Sequence, residues 1–129
     1  MHMMNRRNPE AARRLAERRQ REDDAPRLAA AVPQLESLAI RVVEASPGIS
    51  NPLGTYTRRV VVESAPALFV LPCGDSQCRD GGHELTQEIL SALRQKKLEF
   101  AGEDSCRGAI GSSECRRVLR YVAIATYRS

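Results

Sequence analysis

Four cysteines most constrain what this 129-residue chain can fold into. Cys73 and Cys78 are separated by four residues, Cys106 and Cys115 by eight, and 27 residues lie between the pairs. Each stands where an apolar, strand-like run meets a loop. A chain of this length encloses one core of ordinary size, because domains typically need about 100–150 residues. With no tryptophan, two phenylalanines and three tyrosines, that core gains from a cross-link between its loops.

The residues between the cysteines say how the two pairs can meet. Leu85, Ile89 and Leu93 recur every four positions with Leu90 and Ala92 beside them, which predicts an amphipathic helix over 84–96 ending in Arg94, Lys96 and Lys97. Residues 67–72 (ALFVLP) and 98–103 read as strands on either side of it. If those strands are parallel and joined by the helix, their C-terminal ends point the same way, so Cys73 and Cys106 share a sheet edge. Cys78 opens the return loop. Cys115 opens the final strand, residues 117–127, which starts at the same edge if it pairs antiparallel with its predecessor. Four thiols are thus expected to converge.

Upstream, Leu38, Ile40 and Val42 alternate with Ala39, Arg41 and Val43, which suits a strand, although Leu35, Leu38, Ala39 and Val42 also fit one helical face. Residues 46–55 are a loop by composition, and 56–64 is a second strand, expected to form a hairpin with 67–72 across Ala65-Pro66. The expected fold is α+β: a single small domain with β-β-β-α-β-β order and one main helix on a face of the sheet, preceded by an Arg-rich helical tail. Residues 1–33 are assigned to the tail and 34–129 to the cysteine-containing domain. A final strand at a sheet edge would offer pairing to a second copy; the oligomeric state is otherwise open.

The formal charge is +4, and all of the excess falls in residues 1–22, where Arg6, Arg7, Arg13, Arg14, Arg18, Arg19 and Arg21 face three glutamates. Asn8-Pro9 reads as a helix start, Asn8 capping and Pro9 in the first turn, with a helix following over 9–22. These arginines are the candidate contacts to a protein or nucleic-acid partner, since arginines that neutralise phosphates release counterions. The alternative is a solvated helix without a partner. Arginine supplies 18 of the 20 basic residues, a bias typical of GC-rich coding that suggests a bacterial source. Met1-His2-Met3 and Arg128-Ser129 read as cloning residues, so His2 is set aside as a ligand. No apolar run reaches the length of a membrane span and the start does not resemble a secretory leader, which leaves a cytoplasmic protein as the expectation.

In a reducing compartment disulfides are disfavoured, so Cys73, Cys78, Cys106 and Cys115 are read as a metal site, zinc first, with an iron–sulfur cluster, disulfides or free thiols as alternatives. C-x4-C and C-x8-C match no standard zinc finger. Cys78, Cys106 and Cys115 are each followed by arginine, a cation that favours the thiolate. His83, after Gly81-Gly82, is either an alternative ligand or a cap at the helix entrance. Asp75, Asp80, Glu84, Glu103, Asp104 and Glu114 cluster around the same loops, to accept hydrogen bonds or pair with arginines. No Cys–His–Asp spacing fits nucleophilic catalysis, and His83-Glu84 lacks the second histidine of a metallohydrolase helix. The function expected is a non-catalytic binding or structural module; the alternative is an electron-transfer or thiol-redox protein using the same cysteines. The segment from Leu68 to Cys106, a strand ending in a cysteine, then Cys78, a helix and a strand ending in a third cysteine, resembles the first half of the thioredoxin-like [2Fe-2S] ferredoxins. That resemblance implies the iron–sulfur alternative.

Overall fold

In the computed structural model, which describes residues 9–46, 53–75 and 77–129, the alternation of Leu38, Ile40 and Val42 becomes an eleven-residue strand, β1 (Leu35–Ala45). Its even-numbered side chains from Leu38 to Val42 face the core, and the same parity carries Glu44 inward. β1 pairs antiparallel with β2 (Gly54–Val60) on one side and with β8 (Val118–Tyr127) on the other; β8 in turn pairs antiparallel with β5 (Glu99–Ser105). The sheet order is therefore β2-β1-β8-β5. Leu119, Tyr121, Ala123 and Ala125 of β8 line the covered face. On that face lies α3 (Thr86–Arg94), which buries Ile89, Leu90, Ala92 and Leu93.

The fold is α+β, with a mostly antiparallel sheet and few helices, as the residue pattern implies. Its pairings depart from expectation at two places. Residues 67–72 do not join the main sheet: only β3 (Val70–Leu71) pairs, antiparallel, with β4 (His83–Glu84). The backbone of this segment is satisfied elsewhere, Ala67 N–H donating to Pro26 O at 2.7 Å and Phe69 N–H to Thr86 Oγ1 at 2.9 Å. The parallel pairing of 67–72 with 98–103 is thus absent, and with it the β-α-β half that the ferredoxin resemblance implies. Secondly, the 56–64 and 67–72 hairpin does not form, because β2 pairs with β1 and ends at Val60, after which Ser64 and Ala65 N–H close a turn on Val61 O. The final strand, β8, is interior, between β1 and β5, so the sheet edges are β2 and β5.

A short helix α2 (Leu28–Ala31) supplies Leu28 to the core, which also takes in Val32. Helix α1 (Pro9–Asp24) precedes it. Its only large apolar side chain, Leu15, is exposed, and α1 is tied to the body by Arg21 on Glu84 at 2.7 Å and Arg14 on Asp80 at 3.3 Å. The Asn8 cap, Arg6 and Arg7, and positions 47–52 of the expected loop lie outside the described residues. No helix among the described residues is long and apolar enough to cross a membrane.

Candidate metal centre

Two loops at one end of the sheet carry the cysteines. In the first, Asp75 builds the turn: its backbone N–H donates to Cys73 Sγ at 3.5 Å, its Oδ1 accepts from Gln77 N–H at 2.9 Å, and its carbonyl accepts from Cys78 N–H at 3.1 Å. The chain then bends through Asp80, whose positive φ of 57° is one that asparagine and aspartate tolerate better than most side chains. In the second loop, a small hairpin of β6 (Ala109–Ile110) and β7 (Ser113–Glu114) separates Cys106 from Cys115. Cys106 N–H donates to Arg117 O at 2.7 Å and Cys115 N–H to Gly108 O at 2.9 Å. The loops are stitched together where Arg79 and Ala109 exchange backbone hydrogen bonds of 2.8 and 3.0 Å.

The sulfur atoms of Cys73, Cys78, Cys106 and Cys115 all lie within 4.8 Å of one another. The Cys73–Cys115 and Cys78–Cys106 separations are both 3.6 Å. A tetrahedral ion with metal–sulfur bonds of about 2.3 Å requires sulfurs about 3.8 Å apart, so the four side chains are positioned to hold a metal ion. All four are free cysteines, their sulfurs well beyond the roughly 2.05 Å of a disulfide.

Two glycines make room for this packing. A Cβ on Gly81 would lie 2.5 Å from Cys106 Sγ and against Cys78 Sγ; one on Gly108 would press on Cys78 Sγ and come within 2.6 Å of Arg79 O. Electrostatics differ among the thiols. Burial pushes Cys73 up to about 11, against the opposing Asp75 N–H, and burial likewise pushes Cys78 well up, with the neighbouring thiols adding to it. Burial also acts against ionisation of Cys106, but the N–H groups of Gly108 and Gly82, each 3.4 Å from its sulfur, together with the Cys78 and Cys115 thiols outweigh it and bring Cys106 below the ordinary thiol value.

The arginines that follow the cysteines do not supply this effect. Arg79 donates to Gly111 O at 3.1 Å, bracing the hairpin, while Arg116 is exposed, 4.0 Å from Glu114, and Arg107 is exposed too. Backbone N–H groups reach the sulfurs, whereas long side chains beside them turn to solvent. His83 lies outside the four-sulfur group. It is fully buried in β4, its Nδ1 2.8 Å from Asp104 Oδ2, and its Nε2 has no hydrogen-bond partner among the described residues. Nor does it cap α3: the N-cap is Leu85 and Thr86 opens the helix.

No family model matches the chain, and no curated protein or solved structure matches it either.

The residues missed by sequence reasoning are those that position the loops. Glu44, 6% exposed, accepts the Gly74 N–H at 2.9 Å, and Gly74 fits against its carboxylate, 2.7 Å from where a Cβ would stand to Oε1. Arg117 Nε lies 3.4 Å from the same carboxylate, a charge contact without an aligned hydrogen bond, and its Nη1 is 3.8 Å from Asp75. Glu44 and Arg117 thus connect the end of β1, the Cys73 turn and the entry to β8. The signal was present: Glu44 continues the inward parity of Leu38, Ile40 and Val42, and an acid in that register needs a partner.

Proposed function

We propose that this protein is a non-catalytic binding or structural module whose loops are stapled by one metal ion, zinc, on Cys73, Cys78, Cys106 and Cys115. The observation that carries the reading is the mutual proximity of the four sulfurs. Zinc suits an all-thiolate tetrahedron and has no redox chemistry of its own. A single ion also fits the spacing better than a multi-iron cluster, whose thiolates lie on different metals and stand further apart. When bound, the ion fixes two loops that the sheet alone does not join, and in small modules such binding supplies about 10–16 kcal/mol.

The partner reading for the arginines now rests on less charge than residues 1–22 suggest. Over the whole of α1, Pro9–Asp24, five arginines are balanced by five acids. A neutral helix whose arginines already reach Asp80 and Glu84 suits a protein surface better than a phosphate backbone. The bacterial, cytoplasmic setting belongs to the same proposal.

Elemental analysis with a visible spectrum of freshly purified protein tests the metal. One zinc per chain and no visible absorption is the expected result; absorption with stoichiometric iron and sulfide overturns it. Cys106→Ser should lose the metal and lower the melting temperature, and a variant as stable as the parent without metal refutes the staple.

A further inference from the structure

The outer face of the sheet, opposite α3, is covered by no described element. In an antiparallel sheet with one solvated face, the outward positions are ordinarily polar. Here the outward positions of β8 include Val118, Val122 and Ile124, with Val122 42% and Ile124 55% exposed. Each has a small neighbour on one side and a charged one on the other: Ile124 lies between Ala39 and Glu99, and Val122 between Ala101 and Arg41.

One row of this face sorts its charges by strand. This cross-strand row, set by the pairing register, reads Arg59 on β2, Ala39 on β1, Ile124 on β8 and Glu99 on β5. Elsewhere on the face Arg41 stands on β1 and Arg120 on β8, the latter paired with Glu103 of β5 at 2.8 Å. Reversed, the row reads Glu, Ile, Ala, Arg. A two-fold axis parallel to the strands, passing between β1 and β8, would lay β2 of one copy over β5 of another. Arg59 would then meet the second copy's Glu99 twice, once on each side, and Ile124 would sit over Ala39, a large side chain against a small one. Along this row charge and size are both complementary under the same rotation, as an isologous interface requires, while in the next row Arg41 would face the second copy's Val122.

We propose that this outer sheet face is the interface of a homodimer, two copies packing sheet on sheet in the aligned manner. Four strands about 4.8 Å apart and seven residues of about 3.4 Å each give a face of roughly 19 by 24 Å. That is about 450 Å² of projected area per copy, below the roughly 800 Å² per partner of a standard specific interface, so the dimer is a weak one that forms as concentration rises. The inference does not depend on which metal the cysteines hold.

Sedimentation velocity of the full-length, zinc-loaded chain across micromolar to millimolar concentrations is the test. The species of 14.3 kDa should give way to one of twice that mass as concentration rises. Ile124→Lys should leave only monomer. Arg59→Glu should weaken dimerisation by about tenfold or more through two like-charge contacts, and adding Glu99→Arg to it should restore the parent affinity to within about threefold. Within one chain these two residues stand three strand spacings apart, about 14 Å, so rescue reports a contact between copies. All three positions are on the solvent side, and unchanged melting temperatures at low concentration would show that the variants fold. A chain that stays monomeric at the highest concentration overturns the proposal. So does a dimer indifferent to Ile124→Lys, or a charge swap that fails to rescue.

Discussion

Removing the Glu44 carboxylate tests whether the metal loops are held from the sheet. Glu44→Ala deletes the acceptor of the Gly74 N–H, 2.9 Å away, and the charge 3.4 Å from Arg117 Nε. A hydrogen bond to a charged group contributes about 1.5–3 kcal/mol, and breaking a buried ion pair costs about 3–5 kcal/mol. The lower ends apply here, because the Arg117 side chain keeps 17% of its exposure and retains Asp75 at 3.8 Å. The two losses overlap, since one carboxylate serves both, and the expected destabilisation is about 3 kcal/mol. For a domain of this size that lowers the melting temperature by roughly 10 °C. Glu44→Gln keeps an acceptor for Gly74 and loses only the charge, so about 1–1.5 kcal/mol is expected. Urea denaturation of the zinc-loaded protein measures both. Competition with a chromophoric chelator should show a fall of about 10–100-fold in metal affinity for the alanine variant, as for other residues that orient metal ligands. A Glu44→Ala protein within about 0.5 kcal/mol of the parent, the range of an indifferent surface change, and with unaltered metal affinity would refute the reasoning.

Three further outcomes follow from the same geometry. Gly108→Ala places a methyl against Cys78 Sγ and 2.6 Å from Gly81 Cα, so the purified variant should carry well under one metal per chain by elemental analysis; full occupancy would contradict the tight fit. Stripping the metal with a strong chelator should raise amide exchange in the Cys73–Cys78 loop and the β6–β7 hairpin while β1 and β8 stay protected, because those strands pair independently of the sulfurs; uniform loss of protection would show the ion to be needed for the whole sheet. Burial opposes ionisation of Glu84, but Arg21 and Thr86 outweigh it and hold its carboxyl below the ordinary 4.5. A depressed carboxyl stabilises fully above that ordinary value and ceases to do so as pH falls through the folded one. Docking of α1 should therefore weaken below about pH 4, by less than about 1 kcal/mol since both partners are half exposed, read as exchange of residues 9–24. Glu84→Gln should remove the pH dependence, and a flat profile in the parent would exclude this anchor.

How much of this was legible in the sequence depended on periodicity. β1 and β8 were readable because each buries one face and alternates cleanly, and α3 because Ile89 and Leu93 repeat at helical spacing. Residues 67–72 misled, since Ala67, Phe69 and Leu71 are buried and a continuous apolar run has the composition of a central strand whatever its hydrogen bonds do. The meeting of the four sulfurs is half legible: Cys106 and Cys115 share an edge through the antiparallel β5–β8 pairing, as expected, but Cys73 arrives by way of the β3–β4 ladder. Nothing local marks Gly108 or Arg117 as parts of the site, because their partners are distant in sequence.

The Cys73–Cys115 contact spans 42 positions of chain, and with an ion seated on both sulfurs that stretch, α3 and β5 included, becomes a closed ring. A single peptide bond cut inside the ring would then leave both halves tethered through the metal. Such a nicked molecule would migrate as one piece under native conditions, held by the ion as well as by the β1–β8 pairing, and would separate into two only when the ion was withdrawn and the sheet unfolded together, so the bridge protects the body against the consequences of cleavage as well as against unfolding.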